Sequence, residues 1–221
     1  MSRPLDLRCY FVTGQPAEEV PRIAALAAAG GAGVIQVRSK PIEESALESL
    51  ACAVADAVAQ ANPATRVLID DNVHLAARLI PTHHVHGVHI GQDDMDPRDA
   101  RALLGPDAII GLTTGTLDLV QEANEYAGVI DYIGAGPFRP TPTKDSGRAP
   151  IGLDGYPALV EASRLPVVAI GDVHASDAAA LAATGVAGVA IVRGFMRAED
   201  PRAMAAGIAA DFDRVAAGGA L

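Results

Sequence analysis

Two cations and an amide recur at alternate positions in Gln36-Val37-Arg38-Ser39-Lys40, at the end of an apolar run. Alternate side chains of an extended chain share one face, so Gln36, Arg38 and Lys40 point the same way. Inward-facing cations at a strand end are costly unless an anion answers them. Acidic groups end the next two apolar runs, in Ile69-Asp70-Asp71-Asn72 and His89-Ile90-Gly91-Gln92-Asp93-Asp94. Carboxylates gathered from adjacent loops repel unless hydrogen-bond donors or a divalent cation neutralise them. Such hard oxygen donors suit Mg²⁺, which keeps waters and binds substrate phosphates. The other use of Asp71 or Asp94 at such a place is to cap the following helix.

Further along, Gly134-Ala135-Gly136-Pro137-Phe138-Arg139-Pro140-Thr141-Pro142-Thr143-Lys144 is dense in proline and hydroxyls. Proline stiffens such a loop, so Thr141, Thr143 and Lys144 can be held ready for an oxyanion. Gly171-Asp172 and Val192-Arg193-Gly194 end two later runs, where backbone N–H groups can hold a phosphate. The histidines read otherwise. His83, His84 and His86 precede the fourth run without metal-ligand spacing, His74 and His174 fall early in helices, and His89 reads as a satisfied core residue.

The elements that must position these groups are short β-branched runs alternating with Ala-rich amphipathic stretches. Candidate strands are Leu7–Thr13, Gly33–Arg38, Arg66–Asp70, Val85–Ile90, Ala108–Thr113, Val129–Ala135, Pro166–Gly171 and Val186–Arg193. They recur at the interval of a βα unit, and most are apolar at consecutive positions, as parallel strands covered on both faces are. Gly30–Gly31 and Gly185 stand where helices end in a left-handed C-cap. The pattern predicts an α/β fold, a single (β/α)8 TIM barrel occupying 1–221 as one domain, with function at the C-terminal strand ends.

Composition agrees. Hydrophobic residues make up 50% and aromatic residues 4% of the chain, so the core is built from Ala, Val, Leu and Ile. A formal charge of −10 opposes attraction to nucleic acid or anionic membrane, leaving small-molecule anions held in a local basic pocket. Cys9 and Cys52 lie in apolar stretches as buried thiols, not a disulfide scaffold. No stretch reaches the ~20 unbroken apolar residues of a membrane span, and a cytoplasmic protein is expected. The composition is compatible with a homo-oligomer.

In this order the strings resemble the thiamine-phosphate synthase family, from Tyr10-Phe11-Val12-Thr13 to about Pro201. The most specific pieces are Gln36 to Lys40, Gly87-Val88-His89-Ile90-Gly91-Gln92-Asp93-Asp94, and Asp131-Tyr132-Ile133-Gly134 through Gly136-Pro137 to Lys144. The resemblance implies Mg²⁺-dependent joining of 4-amino-2-methyl-5-pyrimidinylmethyl diphosphate to 4-methyl-5-hydroxyethylthiazole phosphate, a transfer with diphosphate release. By the same resemblance Asp71 and Asp94 hold Mg²⁺ against the diphosphate, and Arg38, Lys40 and Lys144 neutralise that leaving group. Gln36 and Asp70 meet the aminopyrimidine, and Thr113 stands near the reacting methylene. Thr141, Thr143, Gly171, Asp172, Val192 and Arg193 cradle the thiazole phosphate.

The chain departs from the family pattern at four places. Gly14 stands where Asp is usual, Asp70-Asp71 where Asn-Asp is usual, Thr113-Thr114-Gly115-Thr116 where Ser-x-His-Thr is common, and Gly171-Asp172 where a double glycine occurs. The last sets a carboxylate beside a phosphate site, a like-charge conflict unless Arg193 or Arg148 offsets it. Two other readings share the scaffold: a thiazole tautomerase-like relative, and a non-catalytic binder of thiamine phosphate or its precursors.

Overall fold

The protein, seen in a computed structural model, is described over residues 5–15, 18–140 and 147–218. Its strands are β1 (Cys9–Val12), β2 (Val34–Val37), β3 (Arg66–Asp70), β4 (Gly87–Ile90), β5 (Ile109–Thr114), β6 (Tyr132–Ala135), β7 (Val167–Ala169) and β8 (Gly188–Ile191). Each pairs in parallel with the next, and β8 returns to β1, closing the barrel.

Strand parity sorts the side chains. Tyr10, Val34, Leu68, Tyr132, Val168 and Ala190 meet in one buried cluster inside the barrel. Phe11, Ile35, Ile69, Ile110, Ile133 and Val189 face outward, in the larger cluster shared with the helices. Both strand faces are therefore dry, the physical reason for the consecutive apolar runs. Truncating one of these aliphatic side chains to alanine costs about 2–5 kcal/mol.

Several strands are shorter than their apolar runs. Val129 and Ile130 donate to the Tyr126 carbonyl at 2.7 and 3.0 Å, a turn that delays β6 to Tyr132. Arg193 opens a short helix, Arg193–Met196, and so lies beyond β8. Of the glycine pair that ends the helix Val20–Ala29, Gly31 takes the left-handed conformation at φ 98°, while Gly30 stays right-handed. A Cβ on Gly30 would stand 2.2 Å from the Arg202 carbonyl oxygen, so that glycine permits close approach of the helix Pro201–Gly218.

The histidines ahead of β4 sit at the barrel's opposite end. His86 Nδ1 accepts from the Val67 N–H at 3.2 Å, and His84 Nε2 lies 2.9 Å from the Thr65 carbonyl oxygen. Among the described residues no helix is long and apolar enough to cross a membrane.

Candidate active site

Inward parity and staggered register carry Gln36 of β2, Asp70 of β3, His89 of β4 and Thr113 of β5 to one cavity at the C-terminal mouth. Arg38, Gly171, Asp172, Val192 and Arg193 line the same cavity from the loops. Gln36 is 3% exposed, and its Nε2 has no hydrogen-bond partner among the described residues. A buried donor left so costs about 1–3 kcal/mol, which a ligand acceptor recovers.

Arg38 is placed through its backbone. The buried Thr13 hydroxyl donates to the Arg38 carbonyl and accepts from the Arg38 N–H, both at 2.8 Å. The guanidinium Nε then lies 3.4 Å from Asp70 Oδ2, and Lys40 Nζ lies 3.7 Å from the same oxygen. Lys40 also pairs with Asp71, the largest cause of a raised ammonium pKa. Asp71 adopts φ 57°, a conformation strained for a residue other than glycine but tolerated by aspartate.

Asp94 accepts from the Gly91 N–H at 2.6 Å. Burial first, and then the Asp71 carboxyl beside it, raise its pKa against the opposing pull of the Gly91 N–H. Neither aspartate caps a helix. Asn72 accepts from the Leu75 N–H to start Val73–Leu79, and Asp96 accepts from the Arg98 N–H to start Pro97–Leu104. Asp71 and Asp94 thus face each other as two like charges, with the Lys40 ammonium beside them. Among the described residues no group of three or more His, Cys, Asp or Glu side chains is arranged around a metal position. What the pair offers is two hard carboxylates, the share Mg²⁺ commonly takes from protein when phosphates and water complete its shell.

At the other side of the cavity Asp172 adopts φ 56° and is ion-paired with Arg193, with His174 Nε2 3.4 Å from the same oxygen. Arg193 therefore answers the carboxylate, while Arg148 donates to the Thr114 carbonyl at 3.0 Å and lines the cavity. Arg139 holds this loop from outside, donating to the Asp172 carbonyl at 3.1 Å and to the two Asp177 oxygens at 2.6 and 2.7 Å. The departure at Gly115 has a steric reason: a Cβ there would stand 2.2 Å from the Gly136 carbonyl oxygen and 3.1 Å from Arg148 Cδ. Thr141, Thr143 and Lys144 lie outside the described residues.

Three cavity residues were missed or read differently from sequence. His89 is internally bonded, as a core histidine should be, yet it lines the cavity. Its parity with Gly87 on β4 was the available signal. His174 precedes the short helical turn Ala175–Asp177, but its ring turns to Asp172. Arg148 follows the proline-rich string in sequence, where no periodicity indicates direction.

Residues 9–195 match the sequence model of the family described as thiamine monophosphate synthase. The chain belongs to the thiamine monophosphate synthase family. It is 74% identical to the thiamine-phosphate synthase of Corynebacterium jeikeium, covering 96% of this chain and 97% of that one. To the thiamine-phosphate synthase of Corynebacterium efficiens it is 61% identical, covering 89% and 90%. A solved thiamine phosphate pyrophosphorylase from Pyrococcus furiosus superposes with a TM-score of 0.82 at 28% identity, over 96% of this chain and 98% of that one. Membership of this family makes the chain a transferase.

Proposed function

We propose that this chain joins 4-amino-2-methyl-5-pyrimidinylmethyl diphosphate to 4-methyl-5-hydroxyethylthiazole phosphate, yielding thiamine phosphate and diphosphate with Mg²⁺ as cofactor. Family membership supports the reaction. The observation that carries the assignment of residues is the Asp71 carboxylate set between Asp94 and the Lys40 ammonium, next to Asp70 and Arg38, which line the cavity.

In this reading the bond between the pyrimidinylmethyl carbon and the diphosphate oxygen breaks, and the electron pair leaves with diphosphate. The ring amino group supports the electron-poor carbon until the thiazole nitrogen forms the new C–N bond. Nothing is oxidised or reduced, and no protein nucleophile is needed. Asp71 and Asp94 would hold Mg²⁺, which when bound neutralises charge on the leaving oxygens. Arg38 and Lys40, together with Lys144, stabilise that same charge, which is larger in the transition state than before it. Gln36 turns its buried amide to the aminopyrimidine alongside Asp70, and Thr113 lies by the reacting methylene. Thr141, Thr143 and the backbone at Gly171–Asp172 and Val192–Arg193 receive the thiazole phosphate. Small molecules in the cytoplasm are the partners.

Purified protein incubated with both substrates and Mg²⁺ should release diphosphate and form thiamine phosphate in equal amounts, and a chelator should stop both. Tight binding of either substrate without turnover would replace this reading with that of a binder.

A further inference from the structure

We propose that His89 is a positioning residue whose Nε2–H fixes the Thr113 hydroxyl as a donor into the cavity, toward an acceptor atom of the pyrimidine diphosphate. The substrate named rests on the reaction proposed above; the hydrogen-bond direction does not.

An unbroken chain of polar atoms runs from the cavity into the dry barrel. Thr113 Oγ1 lies 3.0 Å from His89 Nε2, His89 Nδ1 lies 2.9 Å from the Tyr132 hydroxyl, and that hydroxyl lies 2.7 Å from the Tyr10 hydroxyl. Tyr10 and Tyr132 are 2% and 0% exposed. Room for this chain is cut by a glycine: a Cβ on Gly111 would stand 2.3 Å from the Tyr132 hydroxyl and 2.5 Å from His89 Nδ1. Burial first, with the Asp70 charge contributing, keeps both phenols protonated.

Direction follows from counting hydrogens. With the imidazole in its neutral form, three hydroxyls and the ring bring four hydrogens to the three bonds of this chain, so one hydrogen is left over. With the ring proton on Nδ1, Thr113 must donate to Nε2, and the surplus hydrogen falls on a buried phenol. Neither phenol makes another side-chain hydrogen bond among the described residues. With the proton on Nε2, Tyr10 donates to Tyr132, Tyr132 donates to Nδ1, and Nε2–H donates to Thr113. The surplus then belongs to Thr113, which lines the cavity and can spend it on a ligand. Leaving a hydroxyl hydrogen without an acceptor in the core is unfavourable enough to bias the tautomers by about tenfold or more. The phenol pair therefore works as a proton ratchet, built behind the site to keep one hydroxyl pointing outward.

Nitrogen-15 shifts of histidine-labelled protein, with the His89 signals assigned by their loss in His89→Asn, should show Nε2 protonated and Nδ1 accepting. In Tyr132→Phe the bias disappears and both tautomers should appear. With substrates and Mg²⁺, Thr113→Val should lower kcat by about 10²-fold, the scale of one lost preorganised donor, and Thr113→Ser should retain it. Tyr132→Phe should lower kcat severalfold with KM for the diphosphate substrate little changed, and should add no further loss in the Thr113→Val background. A His89 ring protonated on Nδ1 in the parent protein, or losses that simply multiply in the double variant, would overturn the proposal. Absence of turnover in the parent protein would instead count against the reaction, and the nitrogen shifts would still decide the relay.

Discussion

Replacing Asp94 by asparagine should weaken catalysis and leave the fold as stable as before, or more so. The amide oxygen can still accept the Gly91 N–H that Asp94 holds at 2.6 Å. What disappears is a carboxylate whose pKa is raised by partial desolvation and by the neighbouring Asp71. Two unit charges about 4 Å apart interact by about 1 kcal/mol in water and about 4 kcal/mol at an effective dielectric of 20. Lys40 offsets part of that repulsion and Asp94 is exposed, so relief of less than about 1 kcal/mol is expected. The sign with pH follows. A carboxyl with a raised pKa in the folded state lowers stability above that pKa and ceases to do so as it becomes protonated. The variant's advantage should thus be present at neutral pH and vanish on acidification through the folded pKa. Loss of one ligand to the proposed cation should reduce the rate by about 10²–10³-fold. Urea denaturation in metal-free buffer and initial rates of diphosphate release across a Mg²⁺ series measure the two effects. Destabilisation by more than about 1 kcal/mol, or an unchanged rate with unchanged metal dependence, would refute the assignment.

Other perturbations probe the supports of the site. Thr13→Val removes both hydrogen bonds to the Arg38 backbone and should destabilise by about 2 kcal/mol while raising KM for the diphosphate substrate; Thr13→Ser should restore both in denaturation and steady-state assays. Gly171→Ala places a Cβ 2.5 Å from Pro137 Cα at a backbone φ of 95° and should cost about 1–3 kcal/mol, read by thermal unfolding. His86 has its pKa held at about 4 by burial first and then by His84 and Arg66, against 6.5 for the free side chain. The unfolded chain therefore binds the extra proton, and stability should fall as pH drops from about 6.5 to about 4. Because the ring is partly exposed, the loss should be about 1–2 kcal/mol after screening, and His86→Gln should flatten the slope in pH-dependent urea titrations.

Much of the site was legible because strand parity is a local property. Once Gln36-Val37-Arg38-Ser39-Lys40 is read as a strand leading into a loop, the shared face of Gln36 and Arg38 follows from the backbone alone. The closed barrel was legible from eight apolar runs at βα spacing, although closure itself depends on β8 meeting β1. For each acidic pair taken alone, helix capping at Asp71 or Asp94 was the favoured local reading. It failed because Asn72 and Asp96, one and two residues further on, take those N–H groups.

The sequence by itself determined which chemical groups stand at the strand ends and which strand faces are apolar, because both depend on neighbours in the chain. Only the tertiary structure decided how those groups answer one another. Register set Asp71 against Asp94, Arg193 against Asp172, and His89 between Thr113 and Tyr132. Those partners lie tens of residues apart in sequence, and their meeting depends on the angle and stagger with which eight strands close. Charges and hydrogens pair through space, over distances that no local periodicity encodes.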